Sequence, residues 1–191
     1  MEEEMKVIDK KTVWEGKFLR TLLVVYRDKG GNLRNWEAVE RVNCSGIVVI
    51  VPVTSDKEFL LIRQFRPVLN NFVIEFPAGL NDKGESLISA ARRELIEETG
   101  CDAGEFVFLA EGPVSSGMST EMLTVFLAKN VSPASREIKE QNPADESESI
   151  EIITTPLSKI YEVLDDFRRK GDYIDLKVYG LIELAKKGLA P

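Results

Sequence analysis

The apolar positions of this chain keep two different periods, and together they predict alternating extended and helical segments. Between Phe18 and Val42 the text reads as extended chain, turn, extended chain. Leu22-Leu23-Val24-Val25-Tyr26 is followed by Asp28-Lys29-Gly30-Gly31-Asn32 and then by Arg34 to Val42, a hairpin signal. A β-branched run from Gly46 to Thr54 predicts a buried strand, and Glu58 to Arg66 predicts a second one after the polar turn Ser55-Asp56-Lys57. Phe72 to Phe76, closed by Pro77, is a third candidate strand. From Glu85 to Thr99 the period changes. Leu87, Ile88, Ala91 and Leu95 recur at three- and four-residue intervals, and Gly100 stands just past the end, where helices commonly stop. Glu105 to Leu109, Leu123 to Lys129 and Ser149 to Thr155 predict further strands, whereas Leu157 to Arg168 and Tyr173 to Lys187 carry helical spacing. The stretch Ser132 to Glu148 has no periodicity and is rich in acid, Ser and Pro, so a mobile loop is expected there. There is no internal repeat and no low-complexity tract.

Composition narrows the class. The chain has 191 residues, 43% of them hydrophobic and 30% charged, enough to bury a core without disulfides or a structural metal. The longest apolar run, Gly46 to Val53, is far short of the ~20 residues that span a bilayer. The start Met1-Glu2-Glu3-Glu4 is the opposite of a basic signal-peptide front, so neither a membrane span nor secretion is expected. Cys44 and Cys101 form neither a disulfide framework nor a C-x2-C metal site and suit a reducing cytoplasm. Twenty-five Lys and Arg against 32 Asp and Glu give a formal charge of −7, which repels phosphate backbones and argues against a nucleic-acid partner. A phosphate ligand would have to be held locally, by a few arginines or a divalent cation. The absence of histidine excludes His triads, His-ligated zinc and imidazole shuttles at once, and leaves acid–base work to carboxylates.

On a wheel of 100° per residue, Leu87, Ile88, Ala91 and Leu95 share one arc of the Glu85 to Thr99 helix, while Glu94, Glu97 and Glu98 occupy the neighbouring one. Three like charges beside a buried face are costly unless something positive sits between them. An acidic helix face is ordinarily just solvated, and the i,i+4 pair Arg93 to Glu97 would help that. The sharper reading is a hard divalent cation, for which oxygen ligands are suited.

Spacing separates the two. Gly79, Glu85 six residues on, and then Arg93-Glu94-Leu95-Ile96-Glu97-Glu98-Thr99-Gly100-Cys101 fit G-x5-E-x7-R-E-U-x-E-E-x-G-U, where U is a bulky aliphatic residue. Agreement at eight of the nine specified positions has a chance probability on the order of 10⁻⁹ per start point with ordinary residue frequencies. The pattern resembles the Nudix hydrolase signature, with Cys101 in place of the usual aliphatic. The resemblance implies a loop–helix–loop in which the Ala78 carbonyl, Glu94 and Glu98 hold Mg²⁺ or Mn²⁺ with Glu97 beside them. Arg93 would orient these carboxylates, Gly79 would allow a tight loop, and Glu85 would brace the helix start or bind a further ion through water. The implied reaction is hydrolysis of a nucleoside diphosphate linked to another group.

Residues outside the box choose the substrate, and three stretches are similar to the ADP-ribose and nucleotide-sugar pyrophosphatases. In Arg63-Gln64-Phe65-Arg66-Pro67 and Ile74-Glu75-Phe76-Pro77-Ala78-Gly79, the resemblance sends Arg66 to the diphosphate and turns Glu75 to the substrate. In Asn35-Trp36-Glu37-Ala38-Val39-Glu40-Arg41, Trp36 would stack on adenine and Glu37 would meet its exocyclic amine, with Arg41 closing this substrate-binding stretch. Phe18, or alternatively Trp14, would cover the other face of the base. In Asp145-Glu146-Ser147-Glu148-Ser149-Ile150-Glu151, Glu148 would orient or deprotonate the attacking water, with Glu146 and Glu151 as alternatives. The loop Ser115-Ser116-Gly117-Met118-Ser119-Thr120-Glu121 carries Ser116 where the ADP-ribose enzymes often have proline; Gly117 and Met118 would line the sugar.

The expectation is an α/β/α Nudix sandwich with a mixed sheet, residues 44–191, preceded by a small N-terminal antiparallel β region, residues 1–43. Family likeness implies that this region is exchanged between protomers, so that a homodimer shares the adenine pocket. The expected activity is Mg²⁺-dependent cleavage of ADP-ribose to AMP and ribose 5-phosphate. Another nucleotide sugar or dinucleotide such as GDP-mannose or NADH is the alternative, followed by a non-catalytic nucleotide-sugar sensor and a docking protein that uses its acidic helix.

Overall fold

The computed structural model describes residues 4–81, 84–144 and 149–189. Its elements run β1 (Lys6–Glu15), β2 (Leu19–Arg27), β3 (Leu33–Arg41), β4 (Ile47–Thr54), β5 (Glu58–Arg66), β6 (Asn71–Glu75) and β7 (Ala78–Leu80). There follow α1 (Leu87–Thr99), β8 (Cys101–Asp102), β9 (Glu105–Pro113), β10 (Met122–Pro133), α2 (Arg136–Gln141), β11 (Ile150–Pro156), α3 (Ile160–Lys170), β12 (Tyr173–Ile174) and α4 (Leu176–Gly188). Local chemistry fixes the critical boundaries. In the β2–β3 turn, Asp28 Oδ1 accepts from the Gly30 and Asn32 N–H groups at 2.9 Å each, and Gly31 supplies a φ of 81°. Helix α1 starts where the Ser86 hydroxyl accepts from the Ser89 N–H. It stops at Gly100, whose φ of 64° turns its N–H back onto the Ile96 carbonyl.

β1, β2 and β3 form an antiparallel sheet of their own. The second sheet has nine strands in the order β12-β6-β5-β4-β10-β8, with β11 added to β5, β7 to β4 and β9 to β10, and it is mixed because β4 and β10 run parallel. Helices cover both of its faces. Val48, Ile50 and Leu60 pack against Ala90, Ala91 and Leu95 of α1. On the other side Val49, Val51, Phe59 and Leu61 meet Ile160 and Leu164 of α3 and Val178 and Ile182 of α4. The two clusters explain why β4 reads as an unbroken apolar run: it is buried on both faces. This is the expected α/β/α arrangement with a mixed sheet and a small antiparallel sheet ahead of it. Among the described residues no helix is long and apolar enough to cross a membrane.

Several elements depart from the sequence expectations. β1, unassigned by pattern, has all ten residues exposed and exists because β2 offers it a ladder from Lys6↔Arg27 to Glu15↔Arg20. Part of the stretch expected to be loop is α2, started by the Ser135 hydroxyl on the Ile138 N–H and short enough to show no buried stripe. Leu157 to Lys159 form a turn ahead of α3 rather than its first helical turn, with the Leu157 N–H donating to the Lys57 carbonyl. Tyr173 and Ile174 leave the helix pattern to pair in parallel with Val73 and Ile74, and Asp175 then caps α4.

Candidate active site

The site is built where β7 leaves β4 and faces α1. Pairing of Ala78 with Val49 and Gly79 with Val48 brings this backbone under the acidic edge of the helix. A Cβ on Gly79 would lie 1.9 Å from Glu94 Cδ, so the glycine is what gives the Glu94 carboxyl its place. Glu98 Oε2 accepts from the Ala78 N–H at 3.1 Å. Arg93 joins the rest. Its Nη1 donates to Glu94 at 2.7 Å and to Glu97 at 3.0 Å, its Nε and Nη2 reach Glu85 at 3.3 and 3.0 Å, and Nη2 also donates to the Leu80 carbonyl at 2.9 Å. Burial alone would lower the Arg93 pKa, but hydrogen bonds to Glu85 and Glu94 and the charges of Glu94 and Glu97 outweigh it, and the guanidinium is held more firmly protonated than usual.

These groups open onto a cavity of about 660 Å³ that also reaches Arg41, Arg66, Glu75 and Ala78, over an apolar floor that includes Ile47, Val49 and Leu123. Arg66 meets Glu75 through Nε at 2.7 Å and Nη2 at 2.6 Å. Burial pushes the Glu75 carboxyl above its ordinary pKa despite the neighbouring guanidinium. Arg41 donates to Glu121 at 2.6 Å. Eight of the residues singled out from sequence, Arg41, Arg66, Glu75, Ala78, Arg93, Glu94, Glu97 and Glu98, therefore share one space.

The chemistry of the donor set suits a hard divalent cation. All side-chain donors are carboxylate oxygens, and one guanidinium stands among Glu85, Glu94 and Glu97 with Glu98 nearby, which leaves an uncompensated negative charge. Among the described residues, no three acidic or thiol side chains are gathered tightly enough to form a ready-made ligand cluster. Arg93 holds Glu94 and Glu97 in the order that a cation would complete.

Five predicted residues lie elsewhere. Phe18, Trp36, Glu37, Gly117 and Met118 do not line this cavity; they sit on and beside the three-stranded sheet. Trp36 is half exposed, its Nε1 donates to the Gly117 carbonyl at 2.9 Å, and the edge of its ring meets Tyr26. The loop is stitched to β3 further on, through the Val39 N–H to the Met118 carbonyl and the Thr120 N–H to the Val39 carbonyl. Register separates the two aromatics. Trp36 stands opposite Val24, whereas Phe18 precedes Leu19, which stands opposite Arg41. At roughly 3.4 Å per residue, the five positions from Leu19 to Val24 span about 17 Å. A ring that stacks must lie within about 4.5–7 Å of its partner. Phe18 and Trp36 of one chain thus stand too far apart to sandwich one base. Trp14 is exposed opposite Thr21, closer in register to Trp36.

Glu148 and Glu146 lie outside the described residues. Ile150, at the start of β11, lines the cavity, while its neighbour Glu151 bonds Arg63 at 3.0 Å. Two charged residues of the cavity wall escaped the sequence reading. Asp175 and Lys177 sit in a stretch whose only pattern signal is that of a helix start.

Comparison with known proteins follows the same lines. The family model for the NUDIX domain matches residues 45–174. The ADP-sugar pyrophosphatase of Mus musculus is 33% identical over 190 residues, 91% of this chain and 84% of that one. The ADP-ribose pyrophosphatase of Bacillus subtilis is 29% identical over 162 residues, 85% and 84% of the two chains. A crystal structure of an ADP compounds hydrolase superposes with a TM-score of 0.79 at 24% identity, covering 99% of this chain and 96% of that one.

Proposed function

This chain belongs to the Nudix family, and from that premise we propose that it hydrolyses the diphosphate bridge of ADP-ribose, or of a closely related ADP-sugar, with Mg²⁺ as cofactor. One observation carries the reading. A single cavity of about 660 Å³ gathers the carboxylates of α1 and two arginines, Arg41 and Arg66, from separate strands. The ADP-ribose and ADP-sugar activities named for the relatives support the choice of an adenine nucleotide.

Glu94, Glu98 and the Ala78 carbonyl would hold the metal, with Glu97 beside them, and Mn²⁺ is an acceptable substitute for an all-oxygen site. When bound, Mg²⁺ supplies charge neutralisation of the diphosphate and a water of lowered pKa. Arg93 keeps the carboxylates aimed, because each of its donors is spent on them, on Glu85 or on the Leu80 carbonyl. Arg66 presents a planar fork suited to phosphate oxygens, with Glu75 fixing its direction. Glu148 takes the proton of the attacking water. As the water oxygen bonds to one phosphorus, the bridging P–O bond breaks, and AMP and ribose 5-phosphate leave. Trp36 and Glu37 recognise adenine in the site of a second copy, in a homodimer whose protomers exchange residues 1–43. The wide separation of Phe18 and Trp36 within one chain supports that sharing.

The test is product analysis of the purified protein with Mg²⁺ against ADP-ribose, ADP-glucose, GDP-mannose and NADH, with an EDTA control. We expect AMP from ADP-ribose at the highest kcat/KM and none with EDTA. Preference for GDP-mannose or NADH would overturn the adenine reading, and EDTA-insensitive turnover would overturn the metal.

A further inference from the structure

We propose that Lys177 is a phosphate-binding residue of this cavity, kept in place by Asp175; the inference deepens the proposed diphosphate hydrolysis and rests on it. Strand β12 sets the position. Tyr173 and Ile174 run parallel to Val73 and Ile74, and the Asp175 N–H donates to the Ile74 carbonyl at 3.0 Å, which brings Asp175 abreast of Glu75. Asp175 then serves Lys177 twice. Its Oδ1 accepts from the Lys177 N–H at 2.9 Å, capping α4, and its Oδ2 accepts from the Lys177 ammonium. Both residues line the cavity wall. The electrostatics of Glu75 tie them to the Arg66 pair: Arg66 and Lys177 favour its charge, and Asp175 opposes it.

The fold alone gives little reason for a lysine here. A cation in the first turn of α4 opposes the helix macrodipole, which favours negative charge at that end. The diphosphate gives it a purpose. Among the described residues six carboxylates and four cations line the cavity, an excess of negative charge on the wall that receives an anion. Arg93 spends its donors on carboxylates and the Leu80 carbonyl, Arg66 gives Nε and Nη2 to Glu75, and Arg41 gives Nε to Glu121, so each arginine is already partly engaged. An ammonium has three donors, and the carboxylate of Asp175 takes one, so the rest are available to a phosphate oxygen. A compact charge on a flexible stem also tolerates different diphosphate geometries better than a rigid fork does.

The experiment titrates inorganic pyrophosphate, as probe, and adenosine into the full chain with Mg²⁺, for the native protein and for Lys177→Met and Lys177→Arg. KM and kcat for ADP-ribose and the thermal melting temperature are measured alongside. Loss of one charge-assisted hydrogen bond to phosphate predicts roughly tenfold weaker pyrophosphate binding by Lys177→Met, with adenosine unchanged. KM for ADP-ribose should rise by a similar factor with kcat nearly unchanged, and Lys177→Arg should recover most of both. Unaltered pyrophosphate binding by a folded Lys177→Met protein would overturn the proposal. So would equal losses for pyrophosphate and adenosine with a lowered melting temperature, or failure of the native protein to bind pyrophosphate. Pyrophosphate binding does not depend on which nucleotide sugar is hydrolysed, so a failure of ADP-ribose turnover is read separately.

Discussion

Single atoms decide this site more than its overall charge does. The Cβ that Gly79 lacks would overlap the Glu94 carboxyl, at 1.9 Å from Cδ, and the nearest atoms belong to the end of a flexible side chain rather than to backbone. Gly79→Ala should therefore fold, with the melting temperature lowered by a few degrees at most, because Glu94 can swing aside. Activity should fall at least tenfold, since the carboxylate leaves the position that Arg93 and the glycine give it; kcat beside a melting curve checks both halves. Glu97→Gln and Glu98→Gln change charge and preserve shape. Each is expected to cut kcat by a factor on the order of 10² or more while leaving the circular dichroism spectrum unaltered. Near-native turnover in both variants would remove the metal from α1. These residues were legible in the sequence because spacing alone put three carboxylates and an arginine on one turn-and-a-half of helix. Lys177 was not, since nothing local distinguishes a lysine beside an N-cap from one on any solvated helix start.

The ends of the elements have identifiable chemical causes. Gly100 ends α1 where the pattern expected, and Ser86 caps its start two residues later than the pattern placed it. The β2–β3 hairpin depends on one carboxylate. Asp28 accepts from the Arg34 side chain and from the Asn32 and Gly30 backbone, and these bonds, the Arg34 one foremost, pull its pKa down to about 2. The sign follows from linkage: a folded pKa below the unfolded one gives stability that is present above the ordinary carboxylate range and is lost as pH falls through about 2. Carboxyl ¹³C shifts followed against pH should show Asp28 taking up its proton only as pH falls to about 2. Replacement of Arg34 by Met should move that midpoint up toward the usual aspartate value. Strand β1 and the pair β12 were invisible to periodicity for the opposite reason: their hydrogen bonds come from neighbours distant in sequence, and β1 buries nothing.

At the scale of the molecule, the candidate residues fall into two groups that one chain does not unite. The α1 carboxylates, Arg66 and Glu75 share the cavity, while Trp36 and Glu37 belong to the three-stranded sheet and Phe18 to the bend just before its second strand. If two copies exchange that sheet, a protein impaired at Trp36 and another impaired at Glu98 carry complementary defects. Coexpression of Trp36→Ala with Glu98→Gln should then yield mixed dimers with one intact site and several-fold more activity at low substrate than either variant alone. Sedimentation of the native protein should give twice the 21.4 kDa chain mass. A monomer, or activities that merely average, would return Trp36 to a structural role.

Sequence by itself settled what local spacing can encode: the Nudix box, the capped helix that carries it, the strands buried on both faces, and a chemistry without imidazole. Each of these follows from the spacing of residues within one short stretch of chain, or from a type being absent altogether. Tertiary structure alone decided which charges meet across the fold. Arg66 finds Glu75, Arg41 finds Glu121 eighty positions away, and β12 sets Asp175 abreast of Glu75, with Lys177 on the same cavity wall. Those meetings depend on strand order and register, which no single segment specifies, because an arginine or lysine looks the same in sequence whether it faces water or a carboxylate across the sheet.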